Sequence, residues 1–185
     1  MSFGNFTRLP LKSQSLIEAM ALLKLSDAAT ATGASGEFGH MPFGDPAVVC
    51  PCGARGCWGT AVDGTALARL LGHPAPPDHV AYGRHLIRSA TGPEEQAAVR
   101  TVARALGRGI AGLVNGVDAD LVTLGGLGID LLAHAGADVD EAYRAGLMVY
   151  RRDAPPPVVP ALLGDDGPVA GAAEEAWSAL LPTLA

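Results

Sequence analysis

The sequence predicts an α/β fold, on three observations. A long stripe of apolar residues at helical spacing is followed at once by a short apolar run that ends in glycine, and the order of helix, strand and turn then repeats before the C-terminus. The stripe is Ala98, Val102, Leu106, Ile110 and Val114, stepping by four through PEEQAAVRTVARALGRGIAGLVN, and the run is residues 121–124. With 185 residues, 49% of them hydrophobic, the chain is long enough for one ordinary domain or one lobe of a larger protein.

From the N-terminus, Leu16, Ile17, Met20 and Leu23 recur at helical spacing and predict a helix over residues 15–25. The small polar tail after it reads as loop. Gly33, Gly36 and Gly39 recur every third residue, where backbone can approach backbone or ligand and no helix fits. Residues 41–49, with two prolines, predict an extended arm with at most a short strand, closed by the turn PCGARGC. Residues 60–71 predict a helix, with Val62, Ala66, Leu67 and Leu70 on one face and Gly72 at its end. Residues 73–83 carry three prolines and read as irregular, and His73, His79 and His85 as exposed loop or helix-start histidines.

The helix over 93–115 opens with Pro93 and the acidic pair Glu94 and Glu95, which complement its N-terminus. Gly107, Gly109 and Gly112 would each weaken it alone, so they point to close packing against a neighbouring element. After the strand at 121–124 and its glycine turn, a helix is expected over 138–150, a short strand over 158–162 and a last helix over 168–181.

The net charge is −6, the pI about 5.2 and the mean hydropathy +0.25. No block of basic residues is available to neutralise phosphates, so DNA binding by this chain alone is not expected. No apolar run approaches the roughly 20 residues that span a bilayer, and the first residues lack the pattern of a secretion signal. The cytoplasm is the expected location.

Chemistry concentrates between Gly33 and Cys57, which holds all three cysteines, Cys50, Cys52 and Cys57, with His40 and Glu37 before them. Three cysteines in one cluster, in a chain with no secretion signal, favour a metal site over a disulfide framework. Structural zinc takes four Cys or His ligands held on tight turns, and His40 can supply the fourth. The alternative is three ordinary thiols. Glu37 reads either as a solvated loop carboxylate or as an acceptor for the hydroxyls of a polar ligand. Gly125 and Gly126 read either as a plain strand end or as bare backbone on which a nucleotide lies.

GASGEFGHMPF followed by CPCGARGCW resembles the signature of the ROK family, a bacterial group of sugar-responsive repressors, uncharacterised frames and sugar kinases. VARALGRGIAGLVNGVDADLVTLGG and VVPALLGDDGPVAGAAEEAW are similar to that family's C-terminal half, so the resemblance runs from residue 33 to about residue 181. It implies the C-terminal lobe of an actin-like, ribonuclease H-like ATPase fold over residues 33–185, with an inserted zinc loop at 33–57 and a divergent segment at 1–32. By position it implies that His40, Cys50, Cys52 and Cys57 bind zinc. Glu37 and His40 match the family's ExGH sugar contact, and Gly125 and Gly126 match the region near the adenosine in the kinases.

Two departures qualify it. Gly59 stands where family kinases commonly carry a sugar-contacting glutamate, and no phosphate loop or catalytic aspartate is found, so no catalytic residue is assigned and ATP is not expected to bind productively. The expected function is the sugar-effector and zinc-binding lobe of a carbohydrate-responsive regulator that lacks its DNA-binding segment. The alternatives are the C-terminal half of a glucokinase-like enzyme and a stand-alone zinc-stabilised dimerisation module. The expected partners are a monosaccharide or N-acetylated amino sugar and a second copy of the chain.

Overall fold

The apolar stripe winds into a helix of 25 residues, Pro93–Val117, on which the other elements are laid. The computed structural model describes residues 36–181; the helix expected over 15–25 and the first residues of the glycine loop lie outside that range. In chain order the helices are α1 (Gly64–Leu70), α2 (His79–Ser89), α3 (Pro93–Val117), α4 (Leu127–Gly146), α5 (Val149–Arg152) and α6 (Gly167–Leu180). The strands are β1 (Val122–Leu124) and β2 (Val158–Pro160). Helix and strand alternate as expected, and β1 and β2 pair in parallel, Val122 with Val158 and Leu124 with Pro160.

All five members of the α3 stripe are buried. At its start the Glu95 carboxylate accepts the backbone N–H groups of Thr91 at 3.1 Å and Gly92 at 3.2 Å, which satisfies donors a helix start leaves free. At its end Asp118 turns left-handed with φ 56, an angle aspartate tolerates better than most residues. α4 lies along α3 and buries Leu131, Val139 and Tyr143. A methyl group at Gly107 would run into the Val139 carbonyl oxygen and the Tyr143 amide, so only glycine lets the two backbones meet. α4 bends at Ala135, where φ is −141 and ψ 29.

The arm at 41–49 carries no strand, only an isolated bridge between Val49 and Arg55, within the expected limit of a short strand at most. Four other expectations are corrected by the structure. The helix expected over 60–71 is divided into a 3-10 turn, Trp58–Ala61, and α1, because the Asp63 carboxylate caps a fresh start by accepting the Ala66 amide at 2.7 Å. Leu70, expected on its apolar face, is exposed. The proline-rich stretch is irregular only to Pro77: Asp78 caps α2 by accepting the Ala81 amide at 2.8 Å, and His79 is the first helical residue. The glycines after β1 occupy a single turn, and α4 begins at Leu127, eleven residues before the helix expected there. Two interior glycines in its first half, Gly128 and Gly136, mask its helical character in the sequence.

Gly109 and Gly112, expected to mark close packing, do so against the cysteine loop. The buried Trp58 ring lies over Gly109, and the Phe43 ring lies where a Gly112 methyl would come within 2.8 Å of it. Trp58 Nε1–H donates to the Ala105 carbonyl at 2.9 Å. A methyl at Gly109 would overlap the indole itself. Gly109→Ala is therefore expected to destabilise the fold by about 1–3 kcal/mol, the usual cost of overpacking, with a matching drop in the thermal unfolding midpoint and a change in Trp58 fluorescence. An unchanged midpoint would show that the indole is free to move.

Candidate metal centre

The loop that carries the cysteines is held by its own backbone before any ligand binds. Phe38–His40 forms a 3-10 turn directly after Glu37, and Met41 leaves it extended. The arm then doubles back: the Gly44 amide donates to the Gly56 carbonyl at 2.8 Å, and the Gly56 amide to the Val48 carbonyl at 3.0 Å. At the tip, the Cys50 amide donates to the Ala54 carbonyl at 2.8 Å and the Gly53 amide returns to the Cys50 carbonyl at 2.9 Å. Gly53 and Gly56 have φ of 91 and 70, angles that favour glycine. The Trp58 amide closes the loop on the Met41 carbonyl at 2.8 Å, which brings His40 beside the cysteines.

The four candidate ligand atoms lie within 4.8 Å of one another. His40 Nδ1 is 3.6 Å from Cys50 Sγ, and Cys52 Sγ is 3.7 Å from Cys57 Sγ. With zinc–sulfur bonds of about 2.3 Å and zinc–nitrogen bonds of about 2.0 Å, a tetrahedron has S···N edges of about 3.6 Å and S···S edges of about 3.8 Å. The two pairs match two opposite edges of such a tetrahedron. All three cysteines are free thiols. Cys50 and Cys57 are buried, whereas Cys52 and His40 lie on the open side. Three sulfurs and one imidazole suit a tetrahedral thiophilic ion such as zinc.

Protonation follows placement. Burial, with the neighbouring Cys50 and Cys52 thiols adding to it, pushes the Cys57 thiol up to about 12. Cys52 is lowered, first by a backbone hydrogen bond at Ala54 and then by the Cys50 thiol. Without metal, Cys57 is therefore a thiol at neutral pH, and an incoming ion must displace its proton.

His40 divides its two nitrogens. Nδ1 faces the cysteines, and Nε2 lies 3.7 Å from a Glu37 carboxylate oxygen on the open side. A ring held at one nitrogen by a metal would present the other, with Glu37, to a ligand in a fixed orientation. Gly125 and Gly126 belong to a different place, the turn between β1 and α4, where their carbonyls accept the amides of Gly128 and Ile129. Gly59 lies in the 3-10 turn that follows the last cysteine. What the sequence reading missed was the anchor: Trp58 and Phe43 dock the whole loop on α3, their rings 6.3 Å apart. The signal was present, a tryptophan next to the last cysteine and glycines three apart on one helix face.

The fold and site together define a mixed helix-and-strand lobe with a Cys3His loop docked on its central helix. Its sequence from residue 26 to residue 178 matches the model of the ROK family, and the chain belongs to that family. Three solved structures are similar to it. A ROK hexokinase from Thermus thermophilus is 28% identical, with 74% of this chain and 45% of that chain covered and a TM-score of 0.55. A ROK family glucokinase from Streptomyces griseus, in complex with glucose and AMPPNP, is 26% identical over 75% of this chain and 50% of that one, with a TM-score of 0.57. A ROK family transcriptional regulator described as a homologue of the E. coli MLC protein shares the fold at 20% identity, over 66% of this chain and 33% of that one, with a TM-score of 0.50. The chain thus spans between a third and a half of the length of these proteins.

The donor set makes metal content the direct check. The purified chain is expected to carry about one zinc per chain, and Cys52→Ser less than about half an equivalent by elemental analysis, because a tetrahedral site loses its closure with one thiolate. The sign of the pH effect follows from Cys57. Its raised value in the folded, metal-free chain means that the neutral thiol favours folding below the ordinary cysteine value of about 8.5. That contribution disappears as pH rises toward about 12. The metal-free protein should therefore lose stability in alkali, while metal affinity, which needs thiolates, should fall in acid. Denaturant titrations with and without chelator across pH separate the two.

Proposed function

We propose that this chain is the sugar-effector and zinc-binding lobe of a ROK-family, carbohydrate-responsive transcriptional regulator, built as the C-terminal lobe of an actin-like, ribonuclease H-like fold. The observation that carries the reading is the division of His40, with Nδ1 3.6 Å from Cys50 Sγ and Nε2 3.7 Å from Glu37. Zinc held by Cys50, Cys52, Cys57 and His40 fixes the imidazole, and Glu37 with the outer side of the ring accepts and donates hydrogen bonds to adjacent sugar hydroxyls. A carboxylate is the natural acceptor for a vicinal diol, since it takes two hydroxyl donors and gains from its charge. Gly59 in the 3-10 turn favours a regulator over a kinase, because that position has no side chain with which to contact the sugar.

The kinase reading has its own support. The two sugar kinases are 28% and 26% identical to this chain, against 20% for the regulator. In that reading residues 36–181 form the half of a glucokinase-like enzyme that holds the sugar's zinc loop and the Gly125–Gly126 turn. Phosphoryl transfer needs the sugar hydroxyl, a base and the nucleotide phosphates positioned together. No group among Glu37, His40 and the cysteines is proposed as that base.

Calorimetry of the zinc-loaded chain against hexoses and N-acetylated amino sugars is expected to show binding of at least one member. Glu37→Gln should weaken it by about 10-fold or more, the cost of losing a hydrogen bond to a charged group, with zinc content unchanged. Silence across the panel would overturn the effector reading. A coupled assay with ATP and the bound sugar is expected to be flat, and turnover would favour the kinase reading instead.

A further inference from the structure

Asp130 is the one buried charged side chain among the described residues, and it lies in the first turn of α4, directly after the Gly125–Gly126 turn. Two arginines one turn apart on α2 cap its carboxylate. Arg84 Nε reaches Oδ2 at 3.2 Å, and Arg88 Nε reaches Oδ1 at 2.7 Å. Burying a carboxylate is costly unless its charge is matched, and here both oxygens are met. Arg84 does not stop there: its Nη2 reaches Asp165 Oδ1 at 2.9 Å. Asp165 belongs to the 3-10 turn Gly164–Asp166, which follows β2 and leads into α6. One guanidinium therefore bridges the segments that leave the carboxyl ends of both parallel strands.

α6 continues directly from that turn, so the turn's placement sets where the helix starts, and Val169 and Trp177 on it are exposed. Gly164 has φ of 52, which favours glycine, and a Cβ there would meet nothing within 4 Å, so the turn is open at that residue. Ala161, three residues earlier, donates its amide to the Leu124 carbonyl at 2.8 Å, which places the turn beside the end of β1.

We infer that Arg84 is a latch, anchored through Nε on the buried Asp130 and closed through Nη2 on the exposed Asp165, that holds the Gly164–Asp166 turn and α6 against the body of the lobe. The two halves of the bridge differ in kind. The anchor lies at a carboxylate whose side chain is 5% exposed, and Arg88 shares its charge, so it persists when the other half opens. The closing half lies at a carboxylate 62% exposed, where dissolved ions compete for it. Opening it releases the Gly164–Asp166 turn beside Gly125 and Gly126 without disturbing α3 or the cysteine loop. A surface ion pair with no such role would leave α6 as firmly placed without Asp165 as with it.

Hydrogen exchange of the full chain tests this, peptide by peptide. Asp165→Asn is expected to speed exchange of the α6 amides by about fivefold or more while those of α3 are unchanged, as for local rather than global opening. Asp165→Glu should behave as wild type. Raising sodium chloride from about 0.05 to about 0.5 M should speed α6 exchange in the wild type but not in Asp165→Asn, since only the exposed pair is screened. Arg84→Gln should match Asp165→Asn in α6; because it also disturbs Asp130, the exposed Asp165 variants decide the matter if it does not fold. Unchanged α6 exchange in Asp165→Asn, or acceleration shared equally by α3, would overturn the latch.

Discussion

The seating of Trp58 on Gly109 is the contact on which the site depends. The cysteine loop has little regular structure of its own, and its hydrogen bonds are mostly internal. Its deepest attachment to the lobe is one indole packed over a glycine, tied by an N–H to the Ala105 carbonyl, with Phe43 over Gly112 beside it and Phe38 and Met41 also packed on the core. Burying two aromatic rings against a helix supplies a large share of the apolar contact that holds this loop to the lobe. The glycines that weaken α3 as an isolated helix are what give the rings room, so a local cost is offset by a tertiary contact.

That docking gives the ligand geometry its orientation. The backbone brings the ligand atoms of Cys50, Cys52, Cys57 and His40 within 4.8 Å of one another, and the Trp58 anchor fixes which way the cluster faces. Cys57 is turned inward beside the tryptophan, and His40 is turned outward beside Glu37. A metal there joins the two ends of a loop that hydrogen bonds already hold nearly in place. It also sets the imidazole's orientation, which is what a polar ligand outside the cluster would meet.

At the other end of α4 the interactions change in kind. Apolar packing joins α3 to α4, with Arg104 paired to Asp138 and Glu141 at its margin. The first turn of α4 instead meets α2 both through Leu127 against Gly83 and through a buried charge, with Arg84 and Arg88 around Asp130. Apolar packing favours one depth of contact and falls away quickly on displacement, whereas an exposed ion pair can open at small cost. The lobe thus has a firmly packed middle and an ionically held edge where α6 leaves it.

Much of this was legible in the sequence. The four-residue step from Ala98 to Val114 is a local property of a helix, so it specified α3 and its buried face without knowledge of any neighbour. The short apolar run before Gly125 specified β1, and cysteines with a histidine in one glycine-rich loop specified a candidate metal site. The ROK signature and the match over residues 26–178 agree on the family. What the sequence left undecided depended on partners distant along the chain. α2 begins only because Asp78 caps it just past the prolines, and the first half of α4 is apolar enough to bury but too rich in glycine to announce a helix. Which residues meet Gly109 and Gly112, which nitrogen of His40 faces sulfur, and which carboxylates Arg84 joins across 46 and 81 residues are facts of tertiary packing. The sequence determined the periodicities and the donor atoms, because those are written in neighbouring residues. Tertiary structure alone decided their orientation, because orientation follows from contacts that form only when the chain closes on itself.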